Sequence, residues 1–458
     1  MKIACSATVR IRTLGLLRRT IRWAADRPVA KPGGMTDTLV PTTRPERTAW
    51  GAVAVMAMTS FVLVLAEFLP PGLLTPMAAA LGITEGQAGQ AVSATAFVGL
   101  LVAPTIGVLL PRLDRRALLT ALAVAAAVSN LAVAVAPNFV VLLLARLLLG
   151  AAIGGFWAMS LAVAARLSTP GRLGRAVMLV NTGTTVATVA GVPLAVLLGS
   201  VAGWRAVFVG VAVLSAVTAV AIRSSLPTVA PDASDGLRPL LDTLRAPGIG
   251  RGLTGHVLTV LGHFAAFTYI RPALGTVPGL DAGGVAVLLA VFGAGGVVGN
   301  VVVGLVVDRH LRVVRFAVPA TLAAGVAAVA AFPTVLPLVV VGVAVWGLSF
   351  GAWLTVVTTW IARVAPTRME AGGGLLVAGF QLAITIGAAA GGLLVDGLGV
   401  RATLAGAAVA AAVGGLTFGS APQDPPYGAD EDRTDERHRD GDIPDSRRNA
   451  RANPSSER

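Results

Sequence analysis

Apolar runs of about 20 residues recur along this chain, separated by short polar or glycine-rich breaks. Each run is long enough to cross a bilayer core of roughly 30 Å as a helix. The pattern predicts about twelve spans, at roughly 50–74, 88–110, 117–136, 139–166, 176–200, 204–223, 252–274, 283–307, 314–332, 335–363, 373–395 and 400–418. The longest break, RSSLPTVAPDASDGLRPLLDTLRAPGIGR at 223–251, is polar with proline and glycine. It divides the chain into a first half (49–223) and a second half (252–418), with a cytoplasmic central loop at 224–251. The tail at 419–458 carries ten of the 23 acidic residues and few apolar ones, and is expected to be disordered. Residues 1–48 are polar and Arg-rich, without the apolar core of a signal peptide. TDTLVPTTRPERTAW after Met35 reads like a natural start, so residues 1–34 are either an over-called beginning or a basic segment lying on the membrane surface.

The two halves echo each other. GVLLPRLDRR from Gly107 matches GLVVDRHLR from Gly304, LGAAIGGFW around Gly150 matches WGLSFGAW around Gly347, and GWRA at Gly203 matches GVRA at Gly399. All three pairs give an offset of 196 or 197 residues. The expected fold is therefore an all-α polytopic membrane protein of twelve transmembrane helices in two pseudo-symmetric six-helix halves, with a ligand site near midplane where the halves meet.

Composition agrees: 55% of the 458 residues are hydrophobic and 13% charged, against about 25% charged in soluble domains. Mean hydropathy is +0.79. The net charge of +13 would suit nucleic acid, but its placement excludes that partner. Arginines gather in alternate breaks, at 112–116, 166–175, 223–251, 309–315 and 363–368, and are nearly missing from those between. This positive-inside asymmetry predicts a multi-pass cell-membrane protein with both termini in the cytoplasm. Cys5 is the only cysteine, so no internal disulfide forms. The sequence holds no Gly-rich loop ending in Lys-Ser or Lys-Thr, no HExxH and no paired CxxC. No catalytic residue, metal site or cofactor is expected, and a gradient rather than ATP hydrolysis would drive transport.

VLVLAEFLPPGLLTPM at 62–77 places Glu67 inside the first span, the only acidic residue well inside any of them. The repeat offset maps it onto His263, in the seventh span. Arg146, in LLLARLLLGAAIGG, lies at a similar depth in the fourth span, about 10 Å below the surface at 1.5 Å per residue. A buried charge costs about 2.5–3.5 kcal/mol on insertion scales, so Glu67 and Arg146 are expected to pair. The pair is either a structural lock or a proton site in which protonated Glu67 releases Arg146. His263, like His256 one heptad before it, is either a polar helix contact or a further coupling group.

With these residues in place the chain resembles the drug:proton antiporter branch of the major facilitator superfamily, over about residues 50–418. Arg146 with Gly150 resembles that family's fourth-span motif, and Gly191 with Pro193 its fifth-span antiporter motif. Its loop motif between spans two and three is degenerate here: the expected Asp falls on Pro111, leaving LDRR at 113–116, in which Asp114, beside Arg115, is the substitute. The second copy keeps Gly304, Asp308 and Arg309. The resemblance implies gating and packing roles for these residues, and a monomer that exchanges a small molecule for protons. EFLPPGLLTPMAAALGITEGQAGQAVSATAFV (67–98), GGFWAMS (154–160), FTYIRP (267–272), WGLSF (346–350) and TWIAR (359–363) are similar to bacterial purine ribonucleoside exporters. That narrower likeness implies export of nucleosides such as inosine; a drug or sugar exporter, or a non-transporting receptor or scaffold, is the alternative. A flat base stacks on aromatic faces for about 1–3 kcal/mol, which makes Phe97, Trp157, Phe264, Trp346 and Trp353 candidate ligand contacts, with the amides of Asn181 and Gln381 to read its edges.

Overall fold

The computed structural model describes residues 48–110, 112–169, 172–229 and 238–422. The expectations for the N-terminal segment before residue 48 and for the tail after residue 422 lie outside the described residues. Within them the chain is helical and without strands. The first four spans are α1 (Trp50–Leu81), α2 (Glu85–Leu109), α3 (Arg115–Ala134) and α4 (Phe139–Leu167). The fifth is α5 (Leu173–Val186), a π-turn (Ala187–Gly191) and α6 (Val192–Ala202), and the sixth is α7 (Trp204–Ser225). A short α8 (Arg238–Leu244) sits in the central loop, where no helix was expected. The seventh span breaks into α9 (Ile249–Phe267) and α10 (Ile270–Gly275). The eighth and ninth are the arms of one long α11 (Ala282–Ala331), bent where His310 leaves helical geometry. The last three are α12 (Leu336–Val364), α13 (Met369–Leu398) and α14 (Val400–Gly419).

Sequence sets many helix ends. Thr84 accepts from Gln87 N (3.0 Å) and Gln87 answers in a capping box that starts α2. Asp114, Asn138 and Asp281 cap α3, α4 and α11 through the main-chain N–H three residues on. Gly203 and Gly399, at φ +81° and +85°, make the sharp turns into α7 and α14 that a Cβ would oppose. Pro193 brings no N–H to the ladder, and the helix absorbs the gap as the π-turn ending at Gly191. The anticipated Gly–Pro kink is therefore one widened turn.

The internal repeat reappears as repeated contacts. A Cβ on Gly150 would strike the Thr95 carbonyl, and one on Gly347 would strike the Phe292 carbonyl. Gly154 packs on the Gly99 backbone as Gly351 packs on that of Gly296. Arg205 Nη2 donates to Ala136 O at 3.2 Å, and Arg401 Nη2 to Ala331 O at 3.3 Å. The glycine contacts map onto their counterparts by the offset read from the sequence and the arginine contacts to within a residue or two of it, and small residues allow backbones to touch where lipid offers no hydrophobic drive.

Between the halves, contact is concentrated toward the Arg-poor end. There α2 lies along α13, and the π-turn and α6 lie against α11, with Val189 Cα 2.7 Å from where a Cβ on Gly293 would stand. Toward the Arg-rich end, Leu101, Met178 and Val301 are exposed. Asn181 and Asn300 are exposed as well. Polar side chains exposed within a span need water beside them, which marks a cleft opening at that end.

Glycine packing carries a stability prediction. Gly351→Val places atoms on the Gly296 backbone and is expected to cost about 2 kcal/mol or more. Gly304 meets nothing within 4 Å, so Gly304→Ala is expected to be neutral or stabilising by up to about 1 kcal/mol. Thermal unfolding in detergent, followed by tryptophan fluorescence, checks both; equal losses at the two positions would contradict the packing argument.

Candidate functional site

Helix α1 contains Pro70, Pro71 and Pro76. In a helix each proline leaves the carbonyl four residues earlier without its partner. Pro70 and Pro71 thus free the carbonyls of Ala66 and Glu67. Arg146 on α4 takes both: Nη1 donates to Ala66 O at 2.9 Å and Nη2 to Glu67 O at 3.3 Å. Its Nε donates to Ala91 O of α2 at 3.3 Å, and Thr95 Oγ1 donates back to Arg146 O at 3.4 Å. One fully buried guanidinium therefore closes a main-chain gap in α1 and ties α1, α2 and α4 together.

This differs from the side-chain ion pair expected between Glu67 and Arg146. The residues do meet, but the guanidinium binds main-chain carbonyls, and among the described residues no carboxylate lies within 4.0 Å of it. Glu67 is 6% exposed and its Oε1 has no hydrogen-bond partner. Burying a carboxylate oxygen in that state is costly, and a proton or a donating ligand would remove the cost. The Pro-Pro pair four residues downstream was the sequence signal for the carbonyl-binding role of Arg146.

Phe68 and Phe264, related by the repeat offset, stack on each other with centroids 6.0 Å apart and planes 6° from parallel. A residue that touches its own repeat mate lies on the pseudo-two-fold axis. Glu67 and His263 therefore flank that axis. His263 is 1% exposed, accepts at Nδ1 from Trp346 Nε1 (2.9 Å), and is enclosed by Phe264, Phe267, Phe292, Phe350 and Trp346. One heptad away, His256 Nδ1 accepts from Trp353 Nε1 at 3.2 Å, with its Nε2 against Leu376 O at 3.3 Å. Two His–Trp rungs join α9 to α12, so in this conformation His263 makes the polar helix contact.

The predicted ligand contacts separate into two groups. Phe264, Trp346 and Trp353 are fully buried and committed to packing, so they offer no face to a ligand here. Phe97 is 50% exposed on α2. Trp157 is half-buried and T-shaped to Phe156 (centroids 5.2 Å apart), and Asn181 is exposed on α5. Gln381 is 6% exposed with an unpartnered Nε2, pressed against Gly99. Asn300, not singled out from the sequence, is exposed on α11 and accepts from Thr355 Oγ1.

Among the gating candidates, Asp114 caps α3 and accepts from Val229 N at 2.8 Å, while Arg115 N donates to Val229 O at 3.0 Å. Asp114 and the main chain of Arg115 thereby clasp the linker leaving α7. The Arg115 side chain is buried against Met159 Sδ (3.8 Å). The Asp308 carbonyl accepts from Arg363, and Arg309 is exposed. Gly150, Gly191 and Pro193 act in close packing, Gly191 against Leu65 and Phe61 of α1.

The sequence profile of the Major Facilitator Superfamily matches residues 56–368 and 252–440. A protein of Pseudomonas aeruginosa named transcription regulatory protein OpdE is 37% identical over 352 residues, 74% of this chain and 86% of that one. The purine ribonucleoside efflux pump NepI of Salmonella typhimurium is 35% identical over 343 residues, 75% of this chain and 86% of the pump. In fold, the chain is similar to a bacterial homolog of the human lysosomal transporter Spinster, with TM-score 0.65 at 15% identity, covering 80% of this chain and 95% of that one.

The Arg146 geometry predicts a coupled mutant series. Arg146→Ala strands the two buried carbonyls freed by Pro70 and Pro71, while Ala91 O keeps Thr95 Oγ1 at 2.9 Å; it is expected to cost about 2–3 kcal/mol or more, against less than about 1 kcal/mol for Glu67→Gln. Adding Pro70→Ala and Pro71→Ala to Arg146→Ala restores main-chain donors for both carbonyls and should recover about 1–2 kcal/mol. Thermal unfolding of the set reads this, and strict additivity would show that the prolines and the arginine are unrelated.

Proposed function

The chain belongs to the Major Facilitator Superfamily of membrane transporters, and on that premise we propose that it is a proton-coupled exporter of purine ribonucleosides. It is a transporter rather than an enzyme. The observation that carries the proposal is Glu67: a carboxyl group buried beside the pseudo-two-fold axis with one oxygen unpartnered. Arg146 on α4 and His263 on α9 are the other ionisable groups around it; α2 and the π-turn contribute none there. Because Arg146 is engaged by three carbonyls, Glu67 is free to exchange a proton without dismantling the α1–α4 junction.

In this reading the Arg-rich end faces the cytoplasm, as do both termini, and the cleft is the cytoplasm-facing stage of an alternating-access cycle. A nucleoside entering it meets the exposed ring of Phe97 for its base, the Gln381 amide and the Asn181 amide for polar edges, and Trp157 at the wall. Rocking of the halves about the Phe68–Phe264 contact would then move the site to the other face. Protonation of Glu67 from outside and its deprotonation to the cytoplasm couple that motion to the proton gradient. The 35% identity to a protein named as a nucleoside efflux pump supports the substrate class. The relative named as a transcription regulator supports a second reading, a membrane receptor that binds without transport.

The test is labelled inosine counterflow and pH-driven uptake in inside-out vesicles. Wild type is expected to accumulate inosine when the interior is acidic. Glu67→Gln is expected to keep counterflow and lose most of the pH-driven accumulation, about tenfold or more, the scale of removing one essential proton group. Binding without counterflow in wild type would favour the receptor reading. Undiminished pH-driven uptake by Glu67→Gln would remove Glu67 from the coupling step.

A further inference from the structure

Asp396 lies in the last turn of α13, where the helix's own carbonyl end disfavours a negative charge. What holds it comes from the other half of the protein. Its Oδ2 accepts from Thr84 Oγ1 at 2.6 Å and its Oδ1 from Gly86 N at 3.0 Å, both at the N-terminus of α2. Thr84 at the same time caps its own helix by accepting from Gln87 N. The carboxylate is thus a second cap for α2, delivered across the divide between the halves, where the partial positive charge of that helix end favours an anion.

Three further contacts close the same place. The seventh span breaks between α9 and α10 at Tyr269, whose hydroxyl donates to Ala388 O at 2.8 Å and lies 3.4 Å from Gly86 O. Gln90 Nε2 reaches Ala389 O at 3.5 Å. Gly86 and Gly392 allow the backbones together: a Cβ on Gly392 would stand 2.8 Å from Gly86 O. Tyr269 is buried, but Asp396 is exposed at the Arg-poor rim, so solvent on that side reaches it directly. The charged or titratable groups on the packed elements are few. Glu85 is bonded to Thr75 (2.7 Å), Arg401 binds Ala331 O, and Tyr269 and Arg271 sit on the broken span.

We propose that Asp396 is the latch of the gate at the Arg-poor end, holding that end shut while its carboxylate is charged and releasing it when protonated from that side. The acid form keeps the side chain in place but loses one acceptor oxygen and its attraction to the α2 terminus. Acidification of that compartment therefore opens the gate on the side from which a proton would reach Glu67. The orientation of the latch rests on the transport reading; its existence does not.

Distances between spin labels test it without any substrate. In a Cys5→Ser background, Ala80→Cys with Gly397→Cys reports the Arg-poor end, and Met178→Cys with Val301→Cys reports the Arg-rich end. Asp396→Ala, and the shape-preserving Asp396→Asn, are expected to raise the open-to-closed ratio at the Arg-poor end about five- to tenfold, the scale of losing one helix cap. The Arg-rich pair should close in step, and neither variant should respond further to acid, whereas the parent should open on acidification. Unchanged distances in both variants would overturn the latch. A full acid response surviving in Asp396→Asn would overturn its protonation and point to another group, with Glu67→Gln as the comparison. Loss of transport with the latch behaviour intact would count against the function alone.

Discussion

Much of this structure depends on how one guanidinium answers a diproline. Pro70 and Pro71 leave two carbonyls of the first span unpaired in a place where no water can take them, and Arg146 reaches across from the fourth span to bind both. Its third bond goes to the second span. Three helices are thereby registered at one point, and the charge of the arginine is absorbed by main-chain dipoles. That is why the side chain of Glu67, whose own carbonyl is one of the two, can remain without a salt bridge.

Around this junction the contacts inside each half differ in kind from those across the divide. Inside a half, glycines set helix backbones against one another at matched positions, and the His–Trp rungs brace the second half where the first has its arginine. Across the divide, the contacts are a stacked phenylalanine pair, small-residue packing and a few hydrogen bonds near one rim. A two-body motion needs this distribution, since buried carbonyls cannot be exposed and re-covered cheaply while rim hydrogen bonds can exchange with water.

The same contrast sorts the candidate site. Aromatic residues that sequence alone marked as platforms divide into those consumed by packing, such as Trp346 and Trp353, and those left exposed, such as Phe97. Nothing in their local sequence separates the two sets, because the separation depends on which helix happens to lie opposite. His256 and His263 read as polar residues on one face of a span; that each meets a tryptophan depends on the antiparallel register of α9 and α12.

Span positions, the two-half repeat and its offset, and the burial of Glu67 and Arg146 were legible from the chain itself. Hydrocarbon forces every spanning segment to satisfy its own backbone, so length and apolarity translate directly into helices, and a repeated sequence repeats its contacts. Even the carbonyls freed by Pro70 and Pro71 follow from covalent geometry. Which donor would fill them, which aromatic rings would be hidden, and that Asp396 would cap a helix 310 residues earlier in the chain were decided only by the tertiary structure. Those outcomes are set by pairings between distant elements, where a guanidinium or a carboxylate takes the best of several partners brought within reach, and that choice has no local signature.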